Sequence, residues 1–565
     1  MRPTVPCLTL SIVLLAGCAS TPPSTTVAAA ATPAVPGIAR PTGESAQWWF
    51  RNGAAQAAAR GAMAGRARNL ILFVGDGMGV TTVSAARIFE GQRLGQPGEE
   101  HLLAWERFPA TAISRTYNTD AQTPDSAGTM TAMATGAKTR MGLISVGQAA
   151  ARGDCGASRQ APLLSLWQLA AANGMATGVV TTTRVTHATP AATFSHSPER
   201  NWEDDADMPE AARAGGCIDI ARQLVESDYG NGPDVLLGGG RTQFMPRGQA
   251  DPEYPDKTGG RNDGRDLVAQ WKARHPEGAY VWNARQLADA PAGAPLLGLF
   301  ERGHMQYEHD RPRDPGGEPS LAEMTRAAIS RLQRNPHGYV LLVEGGRIDH
   351  AHHAGNAFRA LADTAALSDA VRMADEMTSD ADTLIVVTAD HSHVLHFAGY
   401  PVRGNPILGK VMGGSGEAGE PGKLALDATG KPYTTLGYGN GPGYAGATSA
   451  SPEGHKRFGH DTRGFKPAQH GRPDLAQVDT TGPDYLQEAA IPMGSETHGG
   501  EDVGVWARGP GSAAFRGSIE QNTLFHLMLQ AHPRLRQALC DAGLCEQGVP
   551  VNLPDPVRFA TPAKR

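Results

Sequence analysis

The sequence predicts an α/β fold: a mostly parallel central sheet with helices on both faces, plus a loop-rich insertion. Three observations predict it. Apolar, β-branched runs typical of strands buried on both faces alternate with segments of helical periodicity. Three of these runs end directly in Asp, Glu or His, and ligands bind at that carboxyl edge in open α/β sheets. A long segment rich in Gly and Pro, residues 400–496, breaks the alternation before the last run.

The alternation gives the order of the elements. Strands are predicted at residues 69–75, 176–182, 234–238, 338–344, 383–389 and 502–507. Helices are predicted at residues 126–138, 163–173, 213–228, 320–334 and 356–377. Because helices separate the strands, we expect right-handed crossovers and a mostly parallel sheet. The 400–496 segment has few apolar runs and is expected to be an insertion between the last two strands.

Composition limits the class of function. The chain has 565 residues, a formal net charge of −6 and no basic stripe. We therefore expect no nucleic acid as a main partner. The 69 Gly and 41 Pro predict many turns and long loops.

The N-terminal residues have the pattern of an export signal. Residues 1–17 carry Arg2 and then the apolar stretch LTLSIVLLAG, which is too short to span a bilayer as a stable helix. The stretch ends in Leu-Ala-Gly before Cys18, which resembles a bacterial lipobox, so cleavage would leave the Cys18 thiol for lipidation. An ordinary signal peptide with an incidental cysteine is the alternative.

The segment after the signal is expected to be a tether. Residues 18–43 are rich in Ala, Thr, Ser and Pro, a composition typical of flexible linkers. We therefore expect an exported, lipid-anchored protein. The neutral Ala19 favours the outer membrane, with the protein facing the periplasm or the cell surface.

Export would place the cysteines in an oxidising compartment. Besides Cys18, the exported chain keeps Cys155, Cys217, Cys540 and Cys545, an even number that predicts two disulfides. The sequence allows three pairings. The short spacing favours Cys540 with Cys545, which leaves Cys155 with Cys217. Free buried thiols are the alternative.

Three predicted strand ends carry groups that bind metal ions. They are LILFVGDGMG (70–79), LLVEGGRIDHAHH (341–353) and LIVVTADHSH (384–393). A lone Asp or His at such a place is usually just solvated. Three strand ends together with the separate His498 predict several divalent cations held side by side.

Spacing indicates a zinc-type donor set. Asp349 and His353 are four residues apart, so one helical turn would place them on one face. Asp390 and His391 are adjacent at a strand end, where an irregular loop can point both inward. Carboxylate oxygen and imidazole nitrogen suit zinc, and catalytic zinc takes three protein ligands, so His498 is the expected third partner of one ion.

Two further carboxylates complete the set of candidate ligands at these strand ends. Asp76 is followed by Gly77 and Gly79, which permit close approach of the backbone to an ion or anion. Glu344 has mainly oxygen neighbours, which suits magnesium better than zinc.

A serine nucleophile is available at a helix start. PDSAGTMTAMATGAK (124–138) places Asp125 and Ser126 before a run of small helical residues. Backbone N–H groups there attract a phosphate, and the helix dipole and nearby metals would lower the pKa of the Ser126 hydroxyl. The alternative is that Asp125 or Ser126 only caps the helix, and this segment by itself favours that alternative.

Seven ordered motifs resemble those of the alkaline phosphatase family, and more specifically of its animal tissue-type branch. The motifs are GDGMGV (75–80), PDSAGT (124–129), VTTTRVTHATPA (180–191), LLVEGGRIDHAHH (341–353), VTADHSH (387–393), YGNGPGY (438–444) and ETHGGEDV (496–503). The resemblance runs from about Gln47 to Cys545. It implies a catalytic domain at residues 44–547 that includes a crown-like insertion at 400–496, and a C-terminal tail at 548–565.

The resemblance implies hydrolysis of a broad range of phosphate monoesters at alkaline pH, by a homodimer with two zinc ions and one magnesium ion per site. The ligands it assigns are Asp349, His353 and His498 for the first zinc, Asp76, Asp390 and His391 for the second, and Asp76, Thr189 and Glu344 for magnesium. Arg200 would hold two phosphate oxygens, the bidentate task that suits guanidinium. His187, His350 and His393 would lie behind the ligands, where hydrogen bonds can orient them.

The mechanism implied by the resemblance has two steps. Ser126, activated on the second zinc, would attack phosphorus in line while the first zinc stabilises the leaving oxygen. Water would then hydrolyse the phosphoserine intermediate, with Arg200 and the metals balancing charge on the phosphoryl oxygens.

Some implied positions fit less closely. The animal branch has a structural calcium site, which Glu253, the carbonyl of Phe300, Glu301 and Glu318 would match. Glu318 stands where the family usually has Asp, and the spacing before it differs, so a loop of solvated carboxylates is the alternative.

Two positions of the resemblance concern the entrance and the dimer. Tyr400 matches a tyrosine that reaches the active site of the partner subunit. Ser495 replaces an acidic residue common near the entrance of the site, so we expect a different charge there.

Two other functions are compatible with parts of this pattern. One is a related enzyme of the same superfamily that acts on diesters or sulfates. Arg200 and the set of Asp349, His353 and His498 argue for monoesters instead. The other is a lipid-anchored metal or adhesion protein on an inactive scaffold, against which the full set of expected ligands argues.

Overall fold

The computed structural model describes residues 42–230, 232–414, 420–446, 452–462 and 465–560. The predicted signal peptide, Cys18 and nearly all of the predicted tether lie outside these residues, as does the end of the predicted tail. Within them, no helix combines the length and the apolar character needed to cross a membrane.

The described residues form a central sheet of ten strands. In chain order its strands are β1 (Asn69–Gly75), β2 (Ala110–Arg115), β3 (Ala176–Arg184), β4 (Val235–Gly239), β5 (Ala279–Val281), β6 (Leu296–Leu299), β7 (Tyr339–Gly345), β8 (Thr383–Ala389), β9 (Val503–Arg508) and β10 (Gly517–Glu520). Across the sheet they lie in the order β10-β2-β9-β8-β1-β7-β3-β4-β6-β5. β9 is antiparallel to both of its neighbours, and the other adjacent pairs are parallel. The predicted mostly parallel sheet is confirmed.

All six predicted strands are present, as β1, β3, β4, β7, β8 and β9. β2, β5, β6 and β10 were not predicted from the sequence. These four strands are three to six residues long and include short or polar stretches such as AYV and GSIE. Such stretches do not stand out as apolar runs.

The middle of the sheet is buried on both faces. On β1, Leu70, Leu72 and Val74 join one apolar cluster, while Ile71 and Phe73 join the cluster on the opposite face. This is the period-two alternation of a strand. Because burying each such side chain contributes about 1.5–3 kcal/mol, β1 is held firmly between two layers of helices.

Helices cover both faces. Ser126–Thr135 and Thr523–Ala531 pack on one face, and Val80–Arg93, Leu321–Leu332 and Ala357–Met377 pack on the other. The remaining α-helices of the described residues are Ala46–Ala59, Cys155–Ser158, Leu166–Ala172, Ala188–Ala191, Glu210–Ala214, Ile220–Val225, Arg241–Phe244, Leu267–Arg274, Ala284–Asp289, Arg347–His353 and Pro533–Asp541.

One predicted helix is wrong. The single helix expected at 213–228 is two short helices, Glu210–Ala214 and Ile220–Val225. The first ends at a Gly pair, and Gly216 has a φ of +83°, a conformation that favours glycine and cannot continue a helix. The second helix starts afresh at Asp219, whose side chain accepts a hydrogen bond from the Arg222 N–H.

The 400–496 segment lies between β8 and β9 and contains little regular structure. Its strand Leu436–Gly441 pairs antiparallel with Leu395–Phe397 and parallel with Ala489–Pro492. A separate two-stranded ladder joins Ser392–His393 to His498–Gly499, so both ends of the long connection meet beside the sheet.

Two disulfides close short and long loops. The structure joins Cys540 to Cys545 and Cys155 to Cys217, with Cα–Cα distances of 4.8 Å and 5.8 Å. This is the pairing that the short spacing favours in the sequence.

A buried carboxyl group on helix Ala357–Met377 makes stability depend on pH. Asp363 is 4% exposed and accepts a hydrogen bond of 3.2 Å from the Glu308 N–H. Burial raises the pKa of Asp363 to about 8, and the Arg347 guanidinium offsets this only in part. Because the folded protein holds this proton more tightly than the unfolded chain, the stabilisation is complete at acid pH. The stabilisation decreases as the pH rises above about 4, the pKa of an aspartate in an unfolded chain, and it is lost near pH 8.

We predict that Asp363→Asn removes this loss. Between pH 6 and pH 9, the free energy of unfolding of the variant should rise relative to that of the wild type by roughly 2 kcal/mol, measured by urea denaturation. Glu376→Gln, a change at an exposed carboxylate of the same helix, should leave the difference small. The same pH dependence in Asp363→Asn and wild type would contradict the prediction.

Candidate active site

Three central strands bring carboxylates to one edge of the sheet. Gly75 at the end of β1 pairs with Gly345 of β7 and with Ala389 of β8. Asp76 and Asp390 directly follow β1 and β8, and Glu344 lies at the end of β7. All three side chains are fully buried. The register of the sheet therefore gathers three acidic groups that are far apart in sequence.

Gly77 makes this close approach possible. Its φ is +69°, and a Cβ added there would lie 2.3 Å from Cδ2 of His393. The Gly77 N–H donates a 3.0 Å hydrogen bond to Oδ1 of Asp390. A side chain at this position would thus clash with the His393 ring and strain the backbone.

The first group of donors is centred on Asp349. His353 lies one turn after it on helix Arg347–His353, and its Nε2 is 3.4 Å from Oδ1 of Asp349. Nε2 of His498 lies 3.3 Å and Nε2 of His393 lies 2.7 Å from the same oxygen. Nε2 of His353 and Nε2 of His498 are 3.1 Å apart. Together these atoms are close enough to share one cation.

The second group lies beside the first. Nε2 of His391 is 3.4 Å from Oδ1 of Asp76 and 3.3 Å from Oδ2 of Asp390. The His391 ring stacks on the His498 ring with centroids 3.7 Å apart, so the two donor groups are neighbours. Asp349 also lies within reach of Asp76 and His391.

The third group consists mainly of oxygen. Oδ2 of Asp76, Oγ1 of Thr189 and Oε1 of Glu344 are buried and have no hydrogen-bond partner at normal geometry among the described residues. Asp76, Glu344 and His187 have donor atoms within 4.8 Å of one another. Buried oxygens without partners are costly, and a hard cation such as magnesium would satisfy them.

Ser126 faces the second group. It is the first residue of helix Ser126–Thr135, and Asp125 caps the helix by accepting a 3.0 Å hydrogen bond from the Gly128 N–H. Oγ of Ser126 has no part in the cap; it donates a 3.3 Å hydrogen bond to Oδ1 of Asp76 and lies 3.1 Å from Nε2 of His391. Asp125 alone has the capping role, and Ser126 points at the metal-binding groups.

Arg200 contacts the residue that caps the Ser126 helix. Its Nη1 donates to Oδ2 of Asp125 at 3.0 Å, and its Nη2 lies 3.3 Å from Nε2 of His187. The Gly142 N–H donates to the same Asp125 oxygen. Asp125 thus holds the guanidinium and the start of the Ser126 helix in one arrangement.

Electrostatics at the site indicate that it is built for cations. Burial and the neighbouring Asp390 hold the pKa of Asp76 well above its ordinary range. Burial raises the pKa of Glu344 to about 7. Burial would raise the pKa of Asp349 too, but the His353, His393 and His498 rings outweigh it and hold that pKa well below its ordinary range.

The imidazoles behave in two ways. Burial and the nearby His498 hold the pKa of His391 well below its ordinary range, which leaves a neutral ring with a lone pair for a metal. Burial acts in the same direction on His393, but the carboxylates of Glu496 and Asp349 outweigh it and raise the pKa of His393 to about 10. His393 therefore behaves as a charged partner of Asp349.

His187 and His350 belong to a further cluster of imidazoles beside the magnesium-type group. The third member, His304, lies in the loop after β6 and was not predicted from the sequence. Its ring centroid is 4.1 Å from that of His350 and 5.2 Å from that of His187. Arg184 contacts both nitrogens of His304. Nothing in the local sequence GLFERGHM indicates this neighbourhood.

A separate acidic cluster lies at the predicted calcium position. Donor oxygens of Glu253, Glu301 and Asp314 lie within 4.8 Å of one another. Oε1 of Glu253, Oδ1 of Asp314 and Oε1 of Glu318 are buried and accept no hydrogen bond from the described residues. Asp314, four residues before Glu318, was not predicted from the sequence, and neither Glu318 nor Phe300 belongs to this group of three.

Two predicted positions at the entrance are exposed. Tyr400 is 65% exposed. Ser495 is also exposed, and its hydroxyl lies 3.2 Å from the Glu496 carbonyl.

Comparisons with known proteins identify the family. A profile of the family described as "Alkaline phosphatase" matches residues 67–533. The chain is 46% identical over 475 residues to the tissue-nonspecific alkaline phosphatase of Gallus gallus, covering 82% of this chain and 84% of that protein. It is 43% identical over 473 residues to the tissue-nonspecific isozyme of Homo sapiens, covering 82% and 83%.

Solved structures share the fold. The crystal structure of Thermus thermophilus alkaline phosphatase aligns with a TM-score of 0.57 at 27% identity, covering 83% of this chain and 92% of that chain. A mutant of TAB5 alkaline phosphatase, with Mg bound in its M3 site, aligns with a TM-score of 0.54 at 21% identity, covering 83% and 98%. Since the family profile spans most of the chain and the relatives align over 82% of it, this chain belongs to the alkaline phosphatase family.

Proposed function

We propose that this enzyme hydrolyses phosphate monoesters through a phosphoserine intermediate on Ser126, at a site for two zinc ions and one magnesium ion. The observation that carries the proposal is the position of Oγ of Ser126, 3.1 Å from Nε2 of His391 and 3.3 Å from Oδ1 of Asp76. Hydrolysis of phosphate monoesters is the activity of the family. The intermediate, the ions and their number are what we propose.

The donor chemistry supports the assignment of the ions. One zinc belongs to Asp349, His353 and His498, the other to Asp76, Asp390 and His391, and magnesium to Asp76, Thr189 and Glu344. Bound there, such cations lower the pKa of a coordinated hydroxyl or water and neutralise charge on phosphoryl and leaving oxygens.

The protein groups have defined tasks in the first step. Arg200 and the N–H groups at the start of helix Ser126–Thr135 bind the phosphoryl oxygens. Oγ of Ser126 attacks phosphorus and loses its proton to solvent, the bond from phosphorus to the ester oxygen breaks, and the departing alkoxide takes up a proton from solvent to leave as the alcohol. Because such transition states need positioning and charge balance more than covalent assistance, the Asp125 contact that fixes Arg200 contributes to the rate.

The second step reverses the exchange at phosphorus. A water oxygen attacks the phosphorus of the phosphoserine and loses a proton to solvent, the bond from phosphorus to Oγ of Ser126 breaks, Oγ takes up a proton from solvent, and inorganic phosphate leaves. Nε2 of His187 lies 3.3 Å from Nη2 of Arg200, and this contact helps to fix the orientation of the guanidinium.

Arg200 favours monoesters over diesters and sulfates. A monoester dianion offers three free oxygens, whereas a diester carries an alkyl group on one oxygen and a sulfate ester has less charge to bind. We expect turnover of a simple aryl phosphate to exceed that of the matching diester and sulfate under the same conditions.

We also propose a homodimer and a lipid anchor at Cys18. Exposed apolar side chains near the insertion support the dimer, since Phe397 is 42%, Tyr400 65%, Ile491 58% and Met493 38% exposed. Light scattering that gives the mass of a single chain would refute the dimer. Absence of labelled fatty acid on the full exported chain would refute the anchor.

A fourth ion is proposed at Glu253, Glu301 and Asp314, with the Phe300 carbonyl and Glu318 beside it. Carboxylate oxygens without partners suit calcium, which takes six to eight oxygen ligands. Burial raises the pKa of Glu253 to about 7, although the Arg241 guanidinium donates to its Oε2, and burial raises the pKa of Glu318 to about 8. A cation at this cluster would lower both pKa values.

We predict that Ser126→Ala abolishes trapping of a phosphorylated enzyme and lowers turnover by at least about a thousandfold, because the only proposed nucleophile is removed. Acid quench with labelled substrate measures the intermediate. Ser320→Ala is the control, since Ser320 also stands at the start of a helix and its Oγ contacts Glu323 rather than Asp76 or His391. Unchanged turnover in Ser126→Ala would refute the nucleophile.

We predict that chelation removes activity and that zinc with magnesium restores it. Elemental analysis of the purified wild type should give two zinc, one magnesium and one calcium per chain. Glu253→Gln should lose the calcium and keep the zinc, because the two sites share no ligand. A fully active enzyme after exhaustive chelation would contradict the proposed chemistry.

A further inference from the structure

Glu496 is a buried carboxylate next to the metal-binding groups that has no role in the mechanism above. It is 1% exposed and lies two residues before His498. Its Oε2 is 2.5 Å from Nδ1 of His393, and its Oε1 accepts a 2.7 Å hydrogen bond from the Val394 N–H. Both carboxylate oxygens are therefore committed to the segment that carries His393.

The side chain of Glu496 reaches a metal-binding group through one ring. Nε2 of His393 lies 2.7 Å from Oδ1 of Asp349. The two ring nitrogens are thus engaged by carboxylates on opposite sides, so the ring cannot turn without breaking one contact. The result is a chain Glu496–His393–Asp349 that fixes the direction of the Asp349 carboxylate.

The main chain of Glu496 holds a second metal-binding group. Its N–H donates a 2.9 Å hydrogen bond to the His353 carbonyl, and its own carbonyl lies 2.6 Å from Nδ1 of His353. Because a carbonyl oxygen only accepts, Nδ1 of His353 carries the proton. The lone pair is then on Nε2, which faces Asp349 and His498.

We propose that Glu496 is a positioning residue for the ion held by Asp349, His353 and His498. It orients Asp349 by its side chain and His353 by its main chain, and it touches no reacting atom. Carboxylates that hold metal-bound groups in this way tune the affinity of the site. The inference rests on the proposed zinc site and adds a residue that sets how tightly that site binds.

The side-chain arm can be tested alone. Glu496→Gln keeps the size of the side chain and both main-chain contacts to His353. The amide has a single accepting oxygen, however, so it cannot accept from both His393 and the Val394 N–H as the two carboxylate oxygens do. We expect zinc at this site to bind about 10- to 100-fold more weakly, measured by competition with a chromophoric chelator, whether or not substrate is present. The absorption spectrum of the cobalt-substituted enzyme should change as well.

The matched control is the next carboxylate in the same segment. Glu501 binds the Ser392 hydroxyl through Oε1, at 2.5 Å, and contacts no group of the Asp349 set. Glu501→Gln should bind zinc within about twofold of wild type, so a general loosening of this segment is separated from loss of the Glu496 contact.

A double variant makes the test specific. If Glu496 acts through His393, then adding Glu496→Gln to His393→Asn should weaken zinc binding little beyond His393→Asn alone. Additive effects of the two changes, or zinc affinity of Glu496→Gln within about twofold of wild type, would overturn the inference. Failure of the wild type itself to bind zinc would instead refute the proposed function. That outcome is measured on the wild type alone, so it is distinguishable from failure of the inference about Glu496.

Discussion

The whole structure is organised around acidic groups that are buried close to one another. Asp76, Glu344, Asp349 and Asp390 are buried side by side at one edge of the sheet. Burying a carboxylate costs several kcal/mol unless a partner compensates. Imidazoles compensate Asp349, whereas the raised pKa values of Asp76 and Glu344 show that protein groups alone do not compensate these two. The divalent cations proposed for this site would compensate these charges and make the arrangement favourable.

The sheet provides the rigidity that such crowding needs. β1 lies between β7 and β8 and is packed by apolar side chains on both faces, so the carboxyl ends of the three strands cannot move apart to relieve repulsion. Gly77 permits the tightest approach, because its backbone lies against His393 and Asp390. The stability of the core therefore compensates for repulsion at the site, as is common where function requires strained or crowded groups.

Local sequence patterns predicted the fold and the parts of the site that lie at strand ends. The six strongest strands were found because buried parallel strands are continuous apolar runs, and Asp76, Glu344 and Asp390 were found because they terminate such runs. His304, Asp314 and Glu496 were missed because their contacts depend on loops distant in sequence, which no periodicity indicates. The helix expected at 213–228 failed for a local reason, since a Gly pair interrupts its apolar pattern.

The reversed direction of β9 has a consequence for how this enzyme varies. Because β9 is antiparallel to β8, the chain leaves and re-enters the sheet at the same edge. The ladder between Ser392–His393 and His498–Gly499 joins the two ends of the connection. Residues 394–497, between the two strands of this ladder, therefore form a closed loop, and the entropic cost of closing a loop grows only slowly with its length. Insertions, deletions or replacements in this connection can therefore change the surroundings of the substrate, while the residues of the site at the ends of the strands keep their positions.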